Sequence, residues 1–108
     1  EAGARLEIPA ELPEDMIKRF QLLACQVFQV LECAGLARVD FFLRENGEIL
    51  VNEINTLPGF TARSMYPKLW EASGLSSPDL MTRLIDLAIE RATKEQSLRT
   101  TYRSEIKD

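Results

Sequence analysis

The dipeptide Asn46-Gly47 restricts the fold of this chain more than any other feature, because both residues tolerate positive φ and β-rich runs lie on either side of them. Val39 to Leu43 is one run; Ile49 to Val51, continuing through Ile54, is the other. With Asn46 and Gly47 as the two loop residues, Glu45 faces Glu48, Asp40 lies opposite Glu53, and Arg38 lies opposite Asn55. Alternation then predicts one face carrying Arg38, Asp40, Phe42, Val51, Glu53 and Asn55. The other face carries Val39, Phe41, Leu43, Leu50, Asn52 and Ile54. A four-residue loop would move the pairs but keep these faces, whereas a three-residue loop with a bulge would not.

Carboxylates directly opposed on a sheet repel, so a positive group is expected between Asp40 and Glu53. Arg38 can neutralise one charge, and a hard divalent cation could be held by Asp40, Glu53 and the amide carbonyl of Asn55. Mg²⁺ accepts one or two protein carboxylates and completes its octahedron with water and phosphate oxygens, so a site this sparse suggests a nucleotide. The alternative is a set of solvated side chains on the open face of a ribbon.

The 108 residues are 45% apolar and 28% charged, which fits one soluble globular unit rather than a disordered or fibrous one, and the hairpin and helical patterns together make the expected class α+β. The opening at Glu1, with no start signal in Glu-Ala-Gly-Ala-Arg, reads as a piece of a longer chain. No 18-residue apolar run or signal-peptide pattern is present, so a membrane partner is not expected and the cytoplasm is the default location. A net charge of −4 with scattered Lys and Arg argues against a nucleic-acid surface. The absence of His removes Ser-His-Asp and Cys-His triads and His-containing zinc sites. Cys25 and Cys33 fall within one helical pattern, about 12 Å apart along the axis at 1.5 Å per residue, too far for a disulfide; they read as small buried apolar residues.

Residues 4–8 read as a short strand ending at Pro9. Pro13 suits the first helical position, with Glu14 and Asp15 at the positive end of the dipole. Met16, Ile17, Phe20, Leu23, Ala24, Val27, Leu31 and Ala34 recur at helical spacing, with Gly35 as the stop. This helix is expected to back the apolar face of the hairpin. Thr56-Leu57-Pro58-Gly59-Phe60 suits a type II turn, with Gly59 open to close approach by a ligand. Ser64 is a candidate N-cap for a short helix that Gly74 ends; the readings with and without an anion there stand side by side. Ser77-Pro78-Asp79 opens a last helix with a stripe from Leu80 to Ala92, and beyond Lys94 the sequence turns polar and is expected to fray.

The runs Arg-Val-Asp-Phe-Phe-Leu at 38–43, Asn-Glu-Ile-Asn-Thr-Leu-Pro-Gly-Phe-Thr at 52–61 and Ser-Met-Tyr-Pro-Lys-Leu-Trp at 64–70 together resemble the C-terminal part of the D-alanyl-D-alanine ligases, members of the ATP-grasp superfamily. The resemblance covers roughly residues 5–92, with no departure at the matching functional positions. It implies a C-terminal ATP-grasp subdomain over residues 1–108, an antiparallel hairpin packed against helices, with the family's N-terminal and nucleotide-gripping regions outside it. It implies that Asp40, Glu53 and Asn55 hold two Mg²⁺ (or Mn²⁺) ions on the phosphates of ATP, with Asn52 and Glu53 in the nucleotide-binding motif. Arg38, the amide of Gly59 and Ser64 are the implied catalytic groups. Arg38 and Gly59 would stabilise transferred phosphoryl and tetrahedral oxyanion charge, and Ser64 with the Met65 amide would hold the second D-alanine. The implied reaction is ATP-dependent ligation of two D-alanines through D-alanyl phosphate for peptidoglycan and cell-wall synthesis, in a cytoplasmic homodimer. Other readings are a different ATP-grasp carboxylate–amine ligase, a D-alanyl-D-lactate variant, or a non-catalytic structural or cation-binding fragment.

Overall fold

In the computed structural model, which describes residues 5–107 and the side chains of 5–99, a two-stranded antiparallel sheet is held among three helices. The order is α1 (Glu14–Val30), β1 (Arg38–Leu43), β2 (Ile49–Asn55), α2 (Met65–Ala72) and α3 (Ser77–Lys107). The architecture is α+β, an antiparallel hairpin with helices against it, as expected.

The hairpin turns at Asn46-Gly47, but not by a two-residue loop. Arg44 N–H donates to Glu48 O at 2.9 Å and Gly47 N–H to Arg44 O at 3.0 Å, leaving Glu45, Asn46 and Gly47 as a three-residue loop. Gly47 alone takes positive φ, at 87°, while the Asn46 side chain accepts a hydrogen bond from Glu48 N–H at 3.0 Å. A type I turn followed by a left-handed glycine satisfies the loop amides without placing Asn46 in the αL region. Glu45 therefore does not face Glu48; Arg44 does, and an ion pair of 3.2 Å joins those two side chains.

The odd loop shifts the first pairs, so that Leu43 faces Ile49, Phe42 faces Leu50 and Phe41 faces Val51. An irregularity between Asp40 and Phe41 shifts them back, and Asp40 pairs with Glu53, Val39 with Ile54, and Arg38 with Asn55. Asn52 is the extra residue, so it leaves the apolar row expected of it. Leu50 rather than Val51 shares the acidic face with Phe42, and Val51 joins Phe41.

Helix α1 covers the apolar side of this sheet. The Phe20 and Phe41 rings meet edge to face at 5.3 Å, and Arg19 Nη2 donates to Gly47 O at 3.4 Å. The cover is loose, with a cleft of about 660 Å³ between α1, β1 and the start of α2. Cys25 is exposed and Cys33 half-buried, both with free thiols, so neither is the core residue its spacing suggested. No described residue packs over that side of α1 closely enough to bury it.

Several boundaries differ from the sequence expectation. Residues 5–8 form no strand. Pro13 takes the N-cap position of α1 rather than its first turn. α1 stops at Val30, not at Gly35: Glu32 N–H donates to Gln29 O and Cys33 N–H to Phe28 O, both at 3.0 Å, with Glu32 at φ 54. The same closure ends α2, where Gly74 at φ 96 fills the left-handed position, as expected of it. α3 is capped by Ser76, whose Oγ accepts from Asp79 N–H at 3.3 Å, rather than by Ser77. It continues to Lys107 instead of giving out after Lys94, because residues 93–107 contain no Gly or Pro and ion pairs one turn apart, Lys94–Glu90 and Arg91–Glu95, support it.

Among the described residues tight burial is confined to Tyr66, 6% exposed, Leu80, 3% exposed, and the prolines 58 and 67. The radius of gyration is 18.3 Å against about 13 Å for a compact chain of this length. Among the described residues no helix is long and apolar enough to cross a membrane.

The two helix ends generate a prediction. Glu32→Gly supplies at α1 the residue that α2 already has, and relieves the cost of a Cβ in the left-handed region. Urea unfolding is expected to show a stabilisation of roughly 0.5–1 kcal/mol, and an unchanged or lowered midpoint would contradict the capping geometry.

Candidate functional site

The acidic face is assembled by two strands that each contribute alternate residues. β1 presents Arg38 and Asp40; β2, beyond its bulge, presents Glu53 and Asn55 as their direct partners. Strand alternation places Arg38 two residues from Asp40, so their side chains rise side by side. The guanidinium grips the carboxylate with two hydrogen bonds, Nε to Oδ1 at 2.9 Å and Nη2 to Oδ2 at 3.1 Å. Both side chains are about three-quarters shielded, at 24% and 31% exposed. The hydrogen bond to Asp40 holds the Arg38 pKa above its ordinary value, against the opposing effect of burial, and the charges of Asp40 and Glu53 reinforce it. Arg38 thus feels both carboxylates while bonding to one.

Asn55 is fixed by its own backbone. Its Oδ1 accepts from Leu57 N–H at 3.0 Å, an Asx turn that ends the strand. A carbonyl oxygen has a second lone pair, so this bond orients the amide without exhausting it.

The donor set suits a hard divalent cation. Among the described residues no three or more His, Cys, Asp or Glu side chains cluster. An ion here would draw on Asp40, Glu53 and the Asn55 amide, and would need further oxygens from outside the protein. Mg²⁺ accepts that coordination.

A second group forms where the chain leaves the sheet. Gly59 does not take the positive φ of a type II turn. Its lack of a side chain serves a different purpose: a Cβ there would lie 2.7 Å from Ser64 Oγ. Ser64 stands at the N-cap position of α2, yet its hydroxyl makes no cap hydrogen bond. It turns toward Thr61, accepting from the Thr61 N–H at 3.0 Å and lying 2.8 Å from Thr61 Oγ1. The Ser64 N–H completes the turn by donating to Thr61 O at 3.0 Å.

The residues singled out from sequence therefore fall into two neighbouring groups. Arg38, Asp40, Glu53 and Asn55 share the sheet face; Gly59 and Ser64 meet in the following loop; Asn52 stands at the bulge beside Glu53. Met65 bridges them, because it begins α2 and lines the 660 Å³ cleft together with Arg38 and Asp40. Sequence reasoning missed Thr61 as a partner of Ser64. The signal was a second hydroxyl residue three positions earlier, the spacing of a side chain that closes a turn.

Comparison with known proteins gives a consistent picture. Residues 1–86 match the family model described as D-ala D-ala ligase C-terminus. The chain is 59% identical over 101 residues to the D-alanine--D-alanine ligase of Shouchella clausii, covering 94% of this chain and 27% of that protein. It superposes with a TM-score of 0.89 and 48% identity on the D-alanine-D-alanine ligase of Coxiella burnetii, over 92% of this chain and 28% of that one. A Bacillus anthracis D-alanine--D-alanine ligase solved in complex with ATP is similar at a TM-score of 0.70 and 34% identity, over 80% of this chain and 30% of that one. The chain thus spans little more than a quarter of the length of these proteins.

Removal of Arg38 would leave Asp40 and Glu53 opposed with no cation between them. Arg38→Met is expected to lower stability by about 1 kcal/mol. Millimolar MgCl₂ should raise the melting temperature of that variant by more than it raises that of the parent. Equal Mg²⁺ responses in differential scanning fluorimetry would argue against a cation position between the two carboxylates.

Proposed function

The chain belongs to the D-Ala-D-Ala ligase C-terminal family, and from that premise we propose that it is the C-terminal subdomain, residues 1–108, of an ATP-grasp ligase joining two D-alanines for peptidoglycan precursors. The carrying observation is the direct cross-strand pairing of Asp40 with Glu53, with Arg38 charged beside both. This concentrates fixed charge of both signs on one sheet face, the requirement for handling nucleotide phosphates.

In this reading Asp40, Glu53 and Asn55 would hold Mg²⁺, or Mn²⁺, and Asn52 at the bulge and Glu53 lie along the nucleotide. When bound, the metal supplies positive charge that neutralises phosphate oxygens. Arg38 meets negative charge on the phosphoryl group as it passes from ATP to the carboxylate of the first D-alanine, giving ADP and D-alanyl phosphate. Its guanidinium stays protonated throughout, because the hydrogen bond with Asp40 favours the charged form. The amine of the second D-alanine then attacks the acyl carbon, the C–N bond forms, the amine proton is lost, and the C–O bond to phosphate breaks. The Gly59 N–H, together with Arg38, would serve the oxyanion that develops on that carbon. Ser64 and the Met65 N–H receive the carboxylate of the second D-alanine at the start of α2.

The remainder of the ligase polypeptide completes the nucleotide pocket. Homodimerisation and a cytoplasmic location go with the same reading, and neither nucleic acid nor a membrane enters it. The loose cover over α1 and the extended shape favour a subdomain that works only within the larger protein.

In a ligase of the relatives' full length carrying this segment, Glu53→Gln is expected to lower Mg²⁺-dependent phosphate release by about a hundredfold or more. Turnover near that of the parent would remove Glu53 from the metal site. The 108-residue chain alone, mixed with ATP, Mg²⁺ and D-alanine, should release no phosphate above background; measurable release would show that the site is self-sufficient.

A further inference from the structure

We propose that Thr61 is a positioning residue that aims the Ser64 hydroxyl, leaving its proton and the first amides of α2 to the carboxylate of the acceptor amino acid. The inference rests on the reading of Ser64 as the acceptor clamp and goes beyond it by naming what sets the geometry of that clamp.

Ser64 has the extended backbone of a capping serine, at φ −71 and ψ 142, yet its side chain caps nothing. A capping hydroxyl accepts from the second or third N–H of the helix. Here the third helical residue is Pro67, which has no N–H, so the usual partner is halved. The hydroxyl turns instead to Thr61, whose backbone N–H occupies one of its lone pairs at 3.0 Å. Thr61 Oγ1 lies at 2.8 Å, and the direction of that hydroxyl contact decides what Ser64 can do.

A serine hydroxyl has one proton and two lone pairs. When Thr61 Oγ1 donates, both lone pairs of Ser64 are occupied and its proton is left to donate to an anion. When Ser64 donates instead, its only proton is spent and an approaching carboxylate meets oxygen lone pairs. Binding of a carboxylate therefore selects the first direction, and Thr61 is the group that permits it. Because the Ser64 side chain does not reach the helix, the amides of Met65 and Tyr66 are not taken by it. Gly59 closes the arrangement from the other side, since a Cβ would stand 2.7 Å from Ser64 Oγ and push it off Thr61.

The test uses a ligase of the relatives' full length carrying this segment, with initial rates of ADP formation measured at saturating ATP with D-alanine varied and at saturating D-alanine with ATP varied. Thr61→Val keeps the shape and removes the hydroxyl; Thr61→Ser keeps the hydroxyl. Thr61→Val is expected to raise the acceptor KM about tenfold, the size of one weakened hydrogen bond to a charged group, with the KM for ATP unchanged. Thr61→Ser should restore the parent value, and Thr61→Val should add nothing to Ser64→Ala. Thr61→Ala, which cannot crowd the loop, is read in the same way. An acceptor KM within twofold of the parent in both Thr61→Val and Thr61→Ala overturns the proposal, as does an equal rise in the KM for ATP or full additivity with Ser64→Ala. If Ser64→Ala raises the acceptor KM while the Thr61 variants do not, only the role of Thr61 fails. If Ser64→Ala is itself silent, the clamp reading fails and this inference with it.

Discussion

Two carboxylates face each other across a two-stranded sheet, and the pairing persists because a guanidinium is bound edge-on to one of them and lies within the field of the other. For unit charges about 5 Å apart the repulsion is roughly 1 kcal/mol in water and about 3 kcal/mol at the effective dielectric of a partly shielded surface. Two hydrogen bonds in a fork geometry offset such a cost in a way that a lysine ammonium would not, since they also fix direction. The consequence is that Asp40 is held in one orientation, while Glu53 stays exposed to solvent. The elements beyond the hairpin serve this face. α1 backs the sheet, and the chain after Asn55 turns at once under the Asx bond and leads to Met65, which lines one cleft with Arg38 and Asp40.

That face depends on two irregularities that cancel. A three-residue loop alone would put Glu53 on the side of Phe41 and α1, where its charge would meet apolar rings. The extra residue at Asn52 restores the alternation, and beyond it Glu53 and Asn55 return to the side of Arg38 and Asp40. Between the two shifts, Ile49 and Val51 join Phe41 and Leu43 on the apolar side, so the hydrophobic row is also better than simple alternation would make it. Each irregularity is thus intelligible only with the other.

The helices show the same division between local and distant causes. Gly74 ends α2 where a glycine was expected, because a left-handed closure is a local event with a compositional marker. α1 closes in the same way on Glu32, and the marker is absent, so its end was not legible at that residue. Similarly, one helix was expected to carry both Cys25 and Cys33 as buried residues, but α1 ends at Val30, before Cys33, and Cys25 is exposed, because burial depends on what packs there. Large apolar side chains such as Val30, 79% exposed, and Leu98, 71% exposed, stand outside any core formed by the described residues.

Sequence alone determined the hairpin, the three helices, and the pairing of Asp40 with Glu53 and Arg38 with Asn55, because turn glycines, apolar periodicity and charge spacing act over a few residues. It was right about those pairs for an incomplete reason: they were derived from a two-residue loop, and a three-residue loop with a bulge, expected to change the faces, leaves Asp40 with Glu53 and Arg38 with Asn55 because the two shifts cancel. The tertiary structure decided which of Leu50 and Val51 shares the acidic face, where α1 stops, and that Ser64 turns from its helix to Thr61. Those outcomes are set by competition among hydrogen-bond partners and by offsets summed along paired strands, and neither quantity is carried by any single stretch of residues.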